Sequence, residues 1–447
     1  MTSNIREQIV NLLLEIERDK SYAQLALKNE LKKITGPDKG FMTEVVYGTL
    51  KYQIQLDYII DQFSKTPVRK MKPLIRQILR MSVYQLMYLD KVPASAVINE
   101  AVKIAKKRKF QSLSGFVNGV LRNIERGKAH IQYPNMASNP IKYFSIMYSL
   151  PEWMIATWLK AYDFQKVEAI CKALNERAKV CARVNTLKTS KEALIKALNL
   201  EGVEVLPGEF LEEAMYLKNI DDLQNMPSFK AGKWTVQDES AMLVAKVVAP
   251  QKGECILDLC SAPGGKSIHM AELMANEGEI ISCDIHPHKL ELIAKNAERM
   301  GVTIMKPTLQ DGTVFNEDFA EKFDRVLVDA PCSGLGIMKR KPDIRYNKEA
   351  EDIEDIAQIQ RALLKQAVKY VKPGGTFVYS TCTISKMENE EMVDYMVKEL
   401  GLELNKIVDT IPKVLQSEIE KDSMIQILPQ IAGTDGFFIA SLKKRSI

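Results

Sequence analysis

Two cysteines stand where chemistry is possible. Asp329-Ala330-Pro331-Cys332-Ser333-Gly334 follows the apolar run Val326-Leu327-Val328, and Ser380-Thr381-Cys382-Thr383 follows Phe377-Val378-Tyr379. Each thiol sits where a predicted strand opens into a loop, the end at which open α/β sheets present groups to ligands. Two thiols with an acid, here Asp329, suit methyl transfer to C5 of a pyrimidine. That carbon is a poor nucleophile. A thiolate adding to C6 creates an enamine-like carbanion at C5, able to attack a sulfonium methyl group; loss of the C5 proton then expels the thiol. A carboxyl near the ring can bond N3 and the exocyclic amine as charge develops. An ordinary thiol, with a pKa of about 8.5, is only a few per cent thiolate at neutral pH, so nearby positive charge should assist. Lys266, Lys339 and Arg340 are candidates for that field. On this chemistry alone, either thiol could attack.

A methyl donor needs a site of its own. The predicted strand Cys255–Leu259 runs into Cys260-Ser261-Ala262-Pro263-Gly264-Gly265-Lys266, and a helical run follows from Ser267 to Ala275. Glycines at a helix start let the backbone turn sharply and approach a ligand closely. The pattern is neither G-x-G-x-x-G nor a Walker A loop, which disfavours dinucleotides and nucleoside triphosphates. Asp284 ends the next predicted strand, where a carboxylate can accept both hydroxyls of a ribose. Asp311-Gly312 follows, placed to bond an adenine edge. An adenosine-type cofactor lacking a pyrophosphate, S-adenosylmethionine, fits this order of groups. Cys255, Cys260 and Cys283 lie in or beside apolar runs, where thiols are usually inert.

The elements that must position these groups change along the chain. Residues 1–130 read as helices broken at Gly36-Pro37, Pro67, Pro73 and Pro93, and Val97, Ala101, Ile104 and Ala105 form one apolar stripe. That helix ends in Lys106-Lys107-Arg108-Lys109. A loop-rich stretch from Tyr133 to Pro140 marks a boundary, and Ser149…Glu152 reads as a capping box opening a helix through Trp153 and Trp158. A short strand at Ala182–Val184, a Thr189…Glu192 capping box opening a helix, and a strand at Val203–Val205 suggest a small α+β module over 141–235. From Val236 onward strands alternate with helices: Cys255–Leu259, Ile280–Ile285, Arg325–Val328 and Thr376–Ser380. A mainly parallel, doubly wound sheet is expected over 236–447.

These motifs resemble the RNA cytosine-C5 methyltransferases of the Nop2/Sun class and, over nearly the whole chain, its bacterial members acting on 16S ribosomal RNA. The matching residues are Asp258–Lys266, Asp284, Asp311, Asp329–Cys332, Gly336–Ile344, Ser380–Thr383 and Glu388-Asn389-Glu390. Residues 1–130 resemble, by helix pattern and charge, the NusB-type RNA-binding domain found with this class. The resemblance implies an all-α NusB-like domain, a small α+β (RRM-like) module and a Rossmann-like class I S-adenosylmethionine-dependent methyltransferase domain. It also implies that Cys382, the thiol after Thr, attacks, and that Cys332 helps release the methylated base. DNA cytosine-C5 methyltransferases use a Pro-Cys thiol as nucleophile instead. Asp329 is implied as the base-contacting acid, also lining the cofactor pocket, and residues 260–266 with Asp284 and Asp311 as the S-adenosylmethionine site. Ser261 stands where many relatives carry Ala.

Composition bounds the remaining possibilities. The chain has 447 residues, and its net charge of +5 conceals an imbalance. Residues 1–130 hold 23 Lys and Arg against 12 Asp and Glu, leaving 39 against 45 elsewhere. A basic end joined to an acidic one suggests a polyanion held by the former, through shape and phosphate contacts. The seven cysteines show no C-x-x-C spacing and there are four histidines, so neither a disulfide framework nor a metal site is expected. The opening residues lack a signal-peptide pattern and no apolar run nears the roughly 18 residues of a membrane span. A cytoplasmic monomer is expected, with 16S ribosomal RNA or an assembling small subunit as partner. Two alternatives are a transferase acting on tRNA, and a non-catalytic RNA-binding assembly or antitermination factor. Methylation at an exocyclic amine is disfavoured, since Asp329-Ala330-Pro331-Cys332 replaces the Asn/Asp-Pro-Pro-aromatic turn typical of that reaction.

Overall fold

The computed structural model describes residues 4–446 except 20–22, 35, 37 and 221, so the expected break at Pro37 and the opening residues 1–3 fall outside it. The chain divides into two compact units: Met1–Asn175 with Arg340–Glu349, and Glu176–Lys339 with Ala350–Ile447.

The first unit is helical. Pro73 opens the helix Pro73–Tyr88 at a position where its missing N–H costs nothing. Ala94–Lys107 buries Val97, Ile98, Ala101, Ile104 and Ala105 on one stripe, with Lys106 and Lys107 in its last turn, where the helix dipole favours cations. Ile98, Ala101, Ile104 and Ala105 join a core that also draws on Ile5–Asp19, Asp38–Lys51, Gln53–Phe63 and Ser114–Gly127. Ser149 does not cap the helix Glu152–Ala161. It has φ 53° and closes the preceding helix Pro140–Tyr148, while Pro151 precedes Glu152 without a side-chain cap. The Ser149 hydroxyl instead accepts from the Ile54 N–H at 2.8 Å. The segment Arg340–Glu349 completes this unit through Arg345, whose fully buried guanidinium donates to the carbonyls of Lys51, Tyr148, Ser149 and Leu174 at 2.9–3.1 Å.

The second unit holds two sheets. The smaller comprises β1 (Val180–Val184), β2 (Glu204–Pro207), β3 (Ala214–Lys218) and β4 (Trp234–Val236), antiparallel in the order β2-β3-β1-β4. The helix Lys191–Leu200 is capped by Ser190, which accepts from the Ala193 N–H at 3.2 Å, so the cap lies one residue beyond the Thr189 expected from sequence. Arg183 of β1 is fully buried and pairs with Glu272 at 2.8 Å and Gln237 at 2.6 Å.

The larger sheet contains β5 (Cys255–Asp258), β6 (Glu279–Asp284), β7 (Met305–Leu309), β8 (Phe323–Asp329), β9 (Val371–Thr381), β10 (Leu402–Leu404), β11 (Ile419–Glu420), β12 (Met424–Ile427) and β13 (Phe437–Lys444). Its order is β11-β12-β13-β9-β8-β5-β6-β7, with β10 on β13. Five strands from β9 to β7 are parallel; the C-terminal four pair antiparallel, so the sheet is mixed rather than mainly parallel. Both faces are covered. Leu327, Val378 and Ile439 enter one apolar core, and their neighbours Val326, Phe377 and Phe438 enter another, as the two-residue period of a strand requires.

Candidate active site

The parallel pairing of β8 with β9 sets Asp329 opposite Ser380, so the loops after two neighbouring strand ends emerge side by side. Cys332, three residues beyond one end, and Cys382, one beyond the other, bring their Sγ atoms to 3.3 Å. Fifty residues of sequence close to a sulfur–sulfur contact. Hydrogen bonding to Cys382, burial, and the charges of Cys382 and Glu388 push the Cys332 thiol well above its ordinary value, favouring a proton on Cys332.

Asp329 is held from two sides. Lys266 Nζ donates to Oδ2 at 2.6 Å, and Ser380 Oγ donates to Oδ1 at 2.8 Å. Burial alone would lower the Lys266 pKa, but the charge and hydrogen bond of Asp329, with Cys382 adding to them, raise it. Lys266 Nζ also lies 5.1 Å from the centre of the Phe437 ring. A fixed ammonium therefore accompanies the acid and the thiols. The turn after Cys332 passes close to the start of β13: Gly336 N–H donates to the Cys382 carbonyl at 3.1 Å, and Gly436 N–H to the Gly336 carbonyl at 2.9 Å. A Cβ on Gly336 would meet the Gly436 carbonyl oxygen at 2.0 Å, so only glycine permits this crossing.

The residues expected to hold a cofactor lie at the ends of neighbouring strands of the same sheet. After β5 the chain turns through Gly264, with φ 97°, into the helix Gly265–Leu273. A Cβ built on Gly265 would meet nothing within 4 Å, so the turn faces open space at a helix N-terminus. Beneath it Ser267 Oγ donates to Asp258 Oδ2 at 2.6 Å and meets Ser261 Oγ at 2.9 Å and Ser282 Oγ at 3.1 Å. The hydroxyl that sets Ser261 apart from Ala is thus used internally. Asp284 ends β6, with Oδ1 accepting from His286 N–H at 3.0 Å and paired by charge with Lys289 Nζ 3.6 Å away. Asp311 Oδ1 accepts from the Thr313 hydroxyl and N–H, which hold its carboxyl below the usual range. An open glycine turn followed by carboxylates at successive strand ends fits a ligand with a ribose, an adenine edge and a cationic amino-acid tail.

Models of three families match the chain: NusB family over residues 3–126, a ferredoxin-like domain of RsmF/B-like methyltransferases over 150–224, and 16S rRNA methyltransferase RsmB/F over 245–443. A probable ribosomal RNA small subunit methyltransferase B of Bacillus subtilis (strain 168) is 40% identical over 453 residues, covering 99% of each chain. One from Synechocystis is 36% identical, covering 97% of this chain and 98% of its own. The chain belongs to the RsmB/F family of methyltransferases. The crystal structure of PH0851 is 26% identical with a TM-score of 0.80, covering 99% of this chain and all of its own. The expected architecture therefore stands: a NusB-family N-terminal region, a ferredoxin-like middle region and a methyltransferase C-terminal region.

Of the three cations nominated in this RsmB/F-family site, Lys266 is bonded to the acid beside the thiols. The Lys339 ammonium donates to the carbonyls of Gly433, at 2.6 Å, and Thr434, and lies 4.0 Å from Asp435. Arg340 belongs to the first unit. The other thiols of the sheet are protonated by their surroundings. Burial, followed by neighbouring carboxylates, pushes Cys255 to about 11 and Cys283 to about 12, and raises Cys260 well above its ordinary value. Phe437 and the Gly336–Gly436 crossing were not singled out from sequence. The strand carrying Phe437 pairs with β9 across more than fifty residues, and no local signal announces that pairing.

Proposed function

We propose that this chain transfers the methyl group of S-adenosylmethionine to C5 of one cytosine in 16S ribosomal RNA, through a transient bond between Cys382 Sγ and C6 of the base. The observation that carries the reading is the 3.3 Å approach of the two thiols beside the Lys266–Asp329 pair. Amine or oxygen methylation needs no second sulfur. Cys382 is assigned the attack by family resemblance, and the geometry is compatible with it. As its sulfur bonds to C6, the electron pair of the C5–C6 double bond moves to C5. Asp329, bonded to Lys266 and Ser380, accepts from the exocyclic amine of the ring, and the Lys266 ammonium offsets the negative charge that builds on N3 and O2. When bound, S-adenosylmethionine supplies the electrophilic methyl carbon. Cys332 gives up its own proton to solvent and its thiolate then takes the C5 proton; the C5–H electron pair restores the double bond and Cys382 departs with its own pair.

The cofactor is assigned to residues 260–266, Asp284, Asp311 and Asp329. The domain limits follow the sequence reading at 1–130, 141–235 and 236–447, with the basic first region gripping RNA phosphate. Among the described residues no helix is long and apolar enough to cross a membrane. Relatives named for the small ribosomal subunit support 16S ribosomal RNA as the substrate. A target base must leave its stack to reach these thiols, so an accessible loop or a partly assembled subunit is the substrate form.

Bisulfite mapping of total RNA tests the proposal. Cells lacking the protein should lose protection of one cytosine in 16S ribosomal RNA, restored by the wild type but not by Cys382→Ala, which should still bind S-adenosylmethionine. Loss of no cytosine, or full rescue by Cys382→Ala, would overturn it.

A further inference from the structure

Neither cysteine lies within a regular element. Both occupy turns just past a strand end, where backbone freedom is greatest, yet their sulfurs meet. One buried side chain reaches both turns. Glu388 Oε1 accepts from the N–H of Ser333, the residue after Cys332, at 2.7 Å. Its Oε2 accepts from the Ser333 hydroxyl at 2.6 Å and from the hydroxyl of Thr383, the residue after Cys382, at 3.3 Å. The two hydroxyls lie 2.7 Å apart. Thr383 is thus joined to the carboxylate both directly and through the Ser333 hydroxyl. Its own turn is fixed as well, since the Tyr379 hydroxyl donates to the Glu388 carbonyl at 2.6 Å.

We propose that Glu388 is the positioning residue of the two-thiol site: a single buried carboxylate ties together the turns that carry Cys332 and Cys382 and so sets their separation. Asn389 extends the tie, accepting from the Thr381 hydroxyl at 2.6 Å and donating to the Thr383 carbonyl at 3.1 Å, so Cys382 is gripped on both sides. A buried, fully exposed-to-nothing carboxylate would be costly without its donors, and burial does raise the Glu388 pKa while Ser333 and Thr383 oppose that rise. Its charge also contributes to keeping the proton on Cys332. Glu388 accepts from the residues that follow the two cysteines, so it acts through the two turns.

This inference rests on the proposed chemistry at the thiols, and the test separates the two. Glu388→Ala, Glu388→Gln, Thr383→Val, Thr383→Ser and Cys382→Ala are compared for kcat, KM for RNA and for S-adenosylmethionine, cofactor binding and melting temperature. Misplacing the reacting sulfur should cost kcat about 10²-fold in the Glu388 variants and about tenfold in Thr383→Val, with both KM values held within about twofold. Thr383→Ser, which keeps the hydroxyl, should restore near-wild-type turnover. If Glu388→Ala does not fold, Glu388→Gln and the two Thr383 variants decide. Wild-type kcat in Glu388→Gln, or equal kcat in Thr383→Val and Thr383→Ser, would overturn the positioning role while a dead Cys382→Ala leaves the reaction itself standing. Cytosine methylation by Cys382→Ala would instead remove the reaction on which the role depends.

Discussion

Replacing Cys332 by alanine isolates the final step of the proposed reaction. The variant retains Cys382, Lys266 and Asp329, so the base can still be attacked and methylated. What it lacks is the sulfur 3.3 Å from the nucleophile that assists loss of the C5 proton. Among the described residues, the two carboxylates bonded at the thiol turns are already engaged. Asp329 already accepts from Lys266 and Ser380, and Glu388 from Ser333 and Thr383. The loss should therefore approach the whole contribution of a positioned acid–base group, about 10²–10⁴-fold in turnover or about 3–5 kcal/mol in barrier. The first turnover should stall with methylated RNA bound to Cys382. Incubation of enzyme with an RNA fragment and S-adenosylmethionine, followed by a denaturing gel and mass spectrometry, should reveal a conjugate approaching one per protein and carrying one methyl group. Multiple turnovers at the wild-type rate without conjugate would refute the role of Cys332. A conjugate through any residue other than Cys382 would refute the assignment of the nucleophile.

Two further predictions concern the stability within each unit. Arg345→Met should destabilise the first unit by about 3–5 kcal/mol, because four carbonyls lose a charged donor and remain buried. Faster amide exchange in Gln53–Phe63 and Pro140–Tyr148 would report this, and an unchanged urea midpoint would contradict it. Asp258 titrates in the opposite sense to most carboxylates. Burial, only partly opposed by Ser267, raises it to about 7. A raised carboxyl lends stability that is fully present below its unfolded value near 3.9 and is lost as pH rises through the folded value. Across about three pH units that loss is at most about 4 kcal/mol. Asp258→Asn, which resembles the protonated form, should thus gain stability over wild type at pH 8 and little at pH 4; an equal difference at both would contradict the shift.

How far the sequence could be read depended on whether a signal was local. Gly264, Asp284 and the cysteine turns stood out because a parallel sheet puts its ligand groups at strand ends, and a short apolar run followed by a polar residue marks such an end without reference to the rest of the chain. Signals of this kind failed where one residue type serves two geometries. Ser149 has the spacing of a helix cap but sits in a left-handed turn closing the previous helix, with Pro151 leading into the next. Lys339 and Arg340 read as one basic run, yet they belong to different units, and Lys339 is committed to backbone carbonyls.

Spacing along the chain also hid the features on which the chemistry depends most. The resemblance drew attention to Glu388 and Asn389 but assigned them no work, since nothing near them in sequence shows that Ser333 lies within hydrogen-bond reach. That reach follows from the register Asp329↔Ser380, which the chain settles only when β8 and β9 pair. A one-residue slip would turn alternate side chains to the opposite face and carry Cys382 away from Cys332. Register is specified by burial: Val326, Val328, Phe377 and Tyr379 enter one core and Leu327 and Val378 the other, so a slip would exchange two packed faces at once. The separation of the thiols is thus set twice, by packing along the strands and by the carboxylate beyond their ends. The packing fixes where the turns begin, and Glu388 fixes how they finish.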